Sequence, residues 1–197
     1  MIGLYGGTFD PIHNGHLHVA RQLLSSGRLT KILLIPSGEP QLKTPPRASG
    51  AARLEMCRLA LADLKKNSPL SIEVSEIEVN RNGPSYAIDT VQELMREYPG
   101  KEFAWIIGSD AYRKIDQWHE SKKLQELISF IIIERPASES STNDSDDSDE
   151  FDAVDLAALR ISSTEIRARL ARGESVDSWL SPAVSRYIRE NGLYATQ

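Results

Sequence analysis

Short aliphatic runs alternate with longer stretches of helical periodicity almost from one end of the chain to the other, and this alternation restricts the possible folds more than any other feature. Ile2–Tyr5, Lys31–Ile35, Leu70–Val74, Phe103–Ile107, Phe130–Ile133 and Val154–Leu159 read as strands, short and bounded by glycine, proline or polar residues. His16–Ser26, Ala51–Leu64, Ser85–Arg96, Lys122–Leu127, Ser163–Leu170 and Pro182–Glu190 read as helices. Leu17, Ala20, Leu23 and Leu24 share one face of the first helix, and Leu54, Cys57, Leu61 and Leu64 one face of the second. Such alternation predicts an α/β fold, a doubly wound parallel sheet with helices on both faces. The 197 residues contain no internal repeat and make one domain. In open parallel sheets ligands sit beyond the carboxyl ends of the strands, at the point where strand order reverses, so functional motifs belong just after strands.

Several classes of protein are excluded. The single cysteine, Cys57, rules out an internal disulfide framework and a cysteine-based structural zinc site; on its apolar stripe it reads as core. No apolar run approaches the roughly 18 residues of a membrane span, and the first residues show no basic, signal-like segment, so a cytoplasmic protein with no membrane partner is expected. The net charge is −5, but seven acids and no bases crowd into residues 137–152, and outside that stretch 23 bases face 21 acids. The acidity is therefore local. Residues 137–152 are expected to be a disordered surface loop, because low hydrophobicity and charge of one sign cannot offset the entropy of ordering. No basic stripe points to nucleic acid. The Pro-rich loop from Ser37 to Ser49 is long enough to suggest function.

Two constellations follow strands. After the first strand comes Gly6-Gly7-Thr8-Phe9-Asp10-Pro11-Ile12-His13-Asn14-Gly15-His16. Glycines let backbone approach a ligand, and His13 and His16, three apart at a helix start, face the same side. The helix N-terminus adds partial positive charge, so the segment suits a phosphate chain. The plainer reading is a tight turn with histidines near a cap. A metal reading of His13, His16 and His18 is disfavoured, since helical spacing turns His18 away and no acidic cluster accompanies them. The second constellation is Ile161-Ser162-Ser163-Thr164-Glu165-Ile166-Arg167. As structure it is a capping box, with Ser162 as N-cap and Glu165 reaching back. As chemistry, its hydroxyls, free N–H groups and Arg167 make a second anion site. Two anion sites on one sheet edge are what a triphosphate needs.

Together the H-x-G-H and I-S-S-T-x-x-R motifs resemble the nucleotidyltransferase superfamily. With Gly83-Pro84-Ser85-Tyr86-Ala87, Gly108-Ser109-Asp110 and Trp118 between them, the chain closely resembles the nicotinate mononucleotide adenylyltransferase family over nearly its whole length. The resemblance implies a Rossmann-like fold and transfer of AMP from ATP to nicotinate mononucleotide in NAD synthesis, with Mg²⁺ carried by ATP. It implies that His13 and His16 act catalytically on the ATP phosphates. Gly6, Gly7, Thr8, Ser163, Thr164 and Arg167 complete the ATP site. Lys43 stands where the family has a basic residue in a mobile loop, and Arg135 matches an R-P turn. Ser85, Tyr86, Ala87 and Asp110 would contact the mononucleotide, and Trp118 would stack on its pyridine ring. Two positions depart from the family pattern: Leu42-Lys43 replaces His-Lys, and Ala87 replaces a threonine, leaving only the amide for the nicotinate carboxylate.

From the residues alone, Trp118 also reads as a half-buried aromatic and Asp110 as a cap for the helix after Gly108. The alternatives to this activity are a phosphopantetheine adenylyltransferase, which shares both end motifs, and a non-catalytic nucleotide-binding module. The attacking 5′-phosphate is already an anion, so no general base is required and positioning should carry the catalysis. Histidine suits the role because its ordinary pKa of about 6.5 rises beside phosphates, yielding a charged donor. Assembly into a homo-oligomer is left open by the sequence.

Overall fold

The structure is a computed structural model that describes residues 1–39, 45–66, 70–134, 153–154 and 161–195. Lys43, Arg135, the acidic tract 137–152 and residues 155–159 of the last expected strand lie outside the described residues. The strands are β1 (Ile2–Gly7), β2 (Lys31–Pro36), β3 (Ile72–Val74), β4 (Phe103–Gly108), β5 (Ser129–Ile133) and β6 (Ala153–Val154). The helices are α1 (Asn14–Ser25), α2 (Gly50–Lys65), α3 (Ala87–Glu97), α4 (Ser109–Tyr112), α5 (Ser121–Leu127), α6 (Ser163–Ala171) and α7 (Pro182–Glu190). The strands form one six-stranded sheet in the order β3-β2-β1-β4-β5-β6, and every pairing is parallel.

The order has a direct consequence. The chain builds outward from β1 through β2 to β3, then returns to lay β4 against the other side of β1, pairing Ile2 with Phe103 through Tyr5 with Ile106. The reversal falls between β1 and β4, so the loops leaving Gly7 and Gly108 border the crevice at the carboxyl edge.

Strand alternation sends side chains to two cores. Ile32 and Leu34 of β2 and Ala104 and Ile106 of β4 face α1, α2, α6 and α7, where Leu23, Met56, Cys57, Ile166 and Val184 are buried. Leu33 and Ile35, with Phe103, Trp105 and Ile107, face α3 and α5, where Ile88, Val91, Leu94 and Leu124 are buried. This double burial is why the strands read as unbroken apolar runs.

Boundaries shift where hydrogen bonds decide them. β1 continues through Gly6 and Gly7, which lie opposite Ile35 and Pro36. α1 starts at Asn14 because the His13 carbonyl accepts from the N–H groups of His16 and Leu17. α3 begins only at Ala87, since Ser85 donates its N–H to Glu39 O (3.4 Å). Of the capping box at α6, the Ser162 half forms, accepting from Glu165 N–H (3.2 Å), while the Glu165 carboxylate turns to Arg169 (3.0 Å). α4 is the short helix read after Gly108, whereas the 3₁₀ turn at Ile115–Gln117 carries too few residues to show a period. No helix among the described residues is long and apolar enough to cross a membrane.

Cys57 is fully buried in the first core, and burial pushes its thiol up from the ordinary range. The native protein should therefore resist thiol reagents for as long as the denatured chain takes to react completely. Rapid modification under native conditions would contradict this packing.

Candidate active site

The site is assembled on the loop from Thr8 to His13. His13 caps α1, and its N–H donates to Nδ1 of His16 (3.2 Å). The two rings stack with centroids 3.7 Å apart. As expected, both imidazoles share one side of the helix start. The bond makes Nδ1 of His16 an acceptor, which leaves the ring proton on Nε2. In this geometry Nε2 of His16 is an N–H donor. Phe9 and Tyr5 pack edge-on against the same ring, at 5.0 and 6.1 Å. His18 pairs with Gln22 (2.8 Å) instead of joining the other two. Among the described residues no group of three or more His, Cys, Asp or Glu is placed to hold a metal ion.

The second motif docks on the first. Ser163 at the start of α6 donates its hydroxyl to Pro11 O (3.0 Å), and Arg167 donates to Asp10 O (2.7 Å) and Thr164 Oγ1 (3.3 Å). The N-termini of α1 and α6 therefore meet at one loop. Both bring the partial positive charge of a helix start to it.

Beneath this surface lie charged residues that the sequence reading passed over. Asp10 is only 4% exposed. Its Oδ2 accepts from Arg47 N–H (2.9 Å), and its Oδ1 from Ala48 N–H (3.1 Å) and the Tyr194 hydroxyl (2.7 Å). Arg167 stands 3.8 Å from Oδ2. Arg53, 1% exposed, donates to three carbonyls: Thr8 (2.8 Å), Gly38 (3.2 Å) and Ala48 (3.3 Å). Burial lowers the guanidinium pKa, and the Asp10 carboxylate opposes that shift. One signal for Arg53 was available. It lies on the same helical stripe as Met56, Cys57 and Ala60, where a cation has no place unless it is paired.

The glycines also serve packing. A side chain on Gly6 would stand 2.5 Å from the Trp105 indole, and one on Gly7 would lie 3.0 Å from the Phe9 ring. Each lies against an aromatic ring: a side chain at Gly6 would displace the Trp105 indole, and one at Gly7 would press on the Phe9 ring.

The remaining candidates gather around β4 and α3. Ser85 and Tyr86 precede α3, whose N-cap Tyr86 supplies no side-chain bond to the first turn, leaving the Ala87, Ile88 and Asp89 amides without an intrahelical acceptor. The Tyr86 ring lies against His119, centroids 4.3 Å apart. Trp118 is partly buried and meets Trp105 edge-to-face at 6.0 Å, so one indole links it to Gly6. Asp110 is exposed on α4 and paired with Arg113 (3.0 Å); Gly108, not Asp110, is the N-cap. Glu78 was also missed. It is buried, accepts from Thr90 Oγ1 (2.9 Å), and burial raises its pKa.

A parallel sheet with two helix N-termini and paired imidazoles at its reversal point defines the class: a nucleotidyltransferase-like α/β protein. The family model described as cytidylyltransferase-like matches residues 4–169. A relative from Exiguobacterium sibiricum, named "Probable nicotinate-nucleotide adenylyltransferase", is 40% identical over 195 residues, spanning 99% of both chains. One of the same name from Thermus thermophilus is 39% identical over 193 residues, 98% of each. The solved structure of Plasmodium falciparum nicotinic acid mononucleotide adenylyltransferase complexed with NaAD shares the fold, with a TM-score of 0.77 at 23% identity, covering 98% of this chain and 96% of that one. The chain belongs to the cytidylyltransferase-like family and, within it, to the nicotinate-nucleotide adenylyltransferases.

Replacing Arg53 with leucine would strip the donor from three carbonyls, one of them fully buried, and remove a cation near Asp10. A stability loss of about 3–5 kcal/mol is expected, read from denaturant midpoints. A loss below about 1 kcal/mol would mean that Arg53 does not hold these loops together.

Proposed function

We propose that the protein transfers AMP from ATP to nicotinate mononucleotide, releasing pyrophosphate and forming deamido-NAD. The observation that carries this reading is the convergence of His13, His16, Ser163 and Arg167 on the loop after β1, with the N-termini of α1 and α6 meeting there. In the reaction a 5′-phosphate oxygen attacks the α-phosphorus of ATP in line. The new P–O bond forms as the bond to the β-phosphate bridge breaks, and pyrophosphate carries the electron pair away. The attacking group is an anion, so no proton need be removed; catalysis rests on alignment and on donors aimed at developing charge. His16 Nε2–H and Arg167 are those donors, with the helix amides. Mg²⁺ enters as part of MgATP, bound by phosphate oxygens and water. The cytoplasm is the compartment this reading assigns, since ATP is supplied there.

The acceptor is read at α3. The uncapped amides of its first turn suit a carboxylate, which only accepts hydrogen bonds, and Trp118 offers a ring face for the pyridine. Ser85, Tyr86 and Ala87 line that end of the site, with Asp110 at its exposed rim.

Pyrophosphate release from ATP tests the reading. It should require nicotinate mononucleotide and should not occur with phosphopantetheine or with ATP alone. His16→Ala should lower turnover about 10²–10³-fold in a folded protein, as for loss of one transition-state donor. Single-turnover rates within about threefold of wild type would remove His16 from the mechanism.

Nicotinate mononucleotide should also be preferred over nicotinamide mononucleotide, because the carboxamide NH₂ would face a backbone N–H and leave both unpaired. The ratio of kcat/KM values measures this. Ala87→Thr should widen the preference by adding a hydroxyl, and a wild-type ratio near one would refute the carboxylate assignment.

A further inference from the structure

The last described residues reach the phosphate site through one side chain. α7 stops at Glu190, and Gly192 (φ +59°) turns the chain back, with Leu193 N–H donating to Ile188 O (3.0 Å). Tyr194 follows at φ +67°, a conformation that non-glycine residues keep only where their surroundings fix it. It is 7% exposed, and its hydroxyl donates to Asp10 Oδ1 at 2.7 Å. We propose that Tyr194 is a positioning residue for the triphosphate, acting through Asp10 on Arg167 and on the loop that carries His13.

The argument follows the partners of one buried carboxylate. Oδ1 has two donors, Ala48 N–H and the Tyr194 hydroxyl, and the hydroxyl is the nearer. Oδ2 accepts from Arg47 N–H and faces Arg167 at 3.8 Å, beyond hydrogen-bond range. Arg167 is instead aimed by its bonds to the Asp10 carbonyl and to Thr164. Without the phenol, Oδ1 loses its closest partner where little water reaches it, and the under-solvated carboxylate turns toward the nearest cation, Arg167, which stands 3.8 Å from Oδ2. Closing the 3.8 Å gap would draw the guanidinium off its two aiming bonds and disturb the Asp10-Pro11 segment on which Ser163 docks. Burial and the Asp10 carboxylate push the Tyr194 phenol far above its ordinary range, so it remains a donor at any working pH. The acceptor pocket stands on α3, packed in the other core, and meets this network at Arg53, through Gly38 and through Glu78, which accepts from Thr90 of α3, away from the Tyr194 hydroxyl. The effect should therefore fall chiefly on the ATP side.

This inference rests on the adenylyl-transfer reading, and the test separates the two. Tyr194→Phe keeps the ring and removes only the hydroxyl. It should stay folded by its melting curve and lower kcat/KM for ATP by about 5–30-fold, while KM for nicotinate mononucleotide changes by less than about twofold. Asp10→Ala combined with Tyr194→Phe should be no slower than Asp10→Ala alone, because the alanine already removes the acceptor of the phenol. Unchanged kcat/KM with only a lower melting temperature would make Tyr194 purely structural and overturn the inference. Equal losses for both substrates, or additive losses in the double variant, would overturn it too. If wild type releases no pyrophosphate with nicotinate mononucleotide, the adenylyl-transfer reading fails and calorimetric titration with ATP decides the inference. Binding at least about fivefold weaker in Tyr194→Phe sustains it, and equal affinities overturn it.

Discussion

Two buried, opposite charges organise the end of the sheet where the chemistry is read. An isolated charge taken out of water costs several kcal/mol unless partners replace the solvent. Asp10 meets that demand with two backbone amides and a phenol, and Arg53 with three carbonyls. Most of these partners come from other segments: Asp10 draws on residues 37, 38 and 184 positions away, and Arg53 reaches back 45 positions to Thr8. Asp10 is satisfied only once the loops after β1 and β2 and the tail beyond α7 have come together, and Arg53 only once α2 has docked on the loops after β1 and β2. That requirement makes the site a consequence of folding the whole edge, and it ties the rigidity of the loop to the burial of its charges.

The same edge divides into two halves with different supports. α1 and α6, the proposed ATP side, pack in the core with α2 and α7. α3, the proposed acceptor side, packs in the opposite core with α5. Strand reversal between β1 and β4 is what brings the halves to one crevice. Trp105 crosses between them, filling the space left by Gly6 and touching Trp118. A motif that looks like bare backbone prepared for phosphate is also a packing site for indole and phenyl rings.

Chemically, the proposed reaction asks little beyond placement. An anionic nucleophile and a good leaving group remove the need for a base, which fits a site built of amides, imidazoles and one arginine. His16 fits the same economy. Its Nδ1 serves the helix start, and its Nε2–H is the donor proposed for the phosphates. Structural and catalytic uses of the ring are then compatible.

The sequence by itself determined the layered α/β plan, the strands from Ile2 to Ile133, the helices after them, and the positions of His13, His16, Ser163 and Arg167 at helix starts. These are local properties: side-chain period, glycine and proline punctuation and cap chemistry act over a few residues and can be read without knowing what lies across the sheet. Neighbours determined the rest. Asp10 could be seen inside its motif, but its partnership with Tyr194 joins residues 184 apart, and the bond from Arg53 to Thr8 spans 45. Nothing local marks Tyr194 as a partner of the phosphate loop, or Gly6 as room for Trp105. Buried polar groups take whatever donors and acceptors the fold delivers to them, and that delivery exists only once the chain has closed on itself.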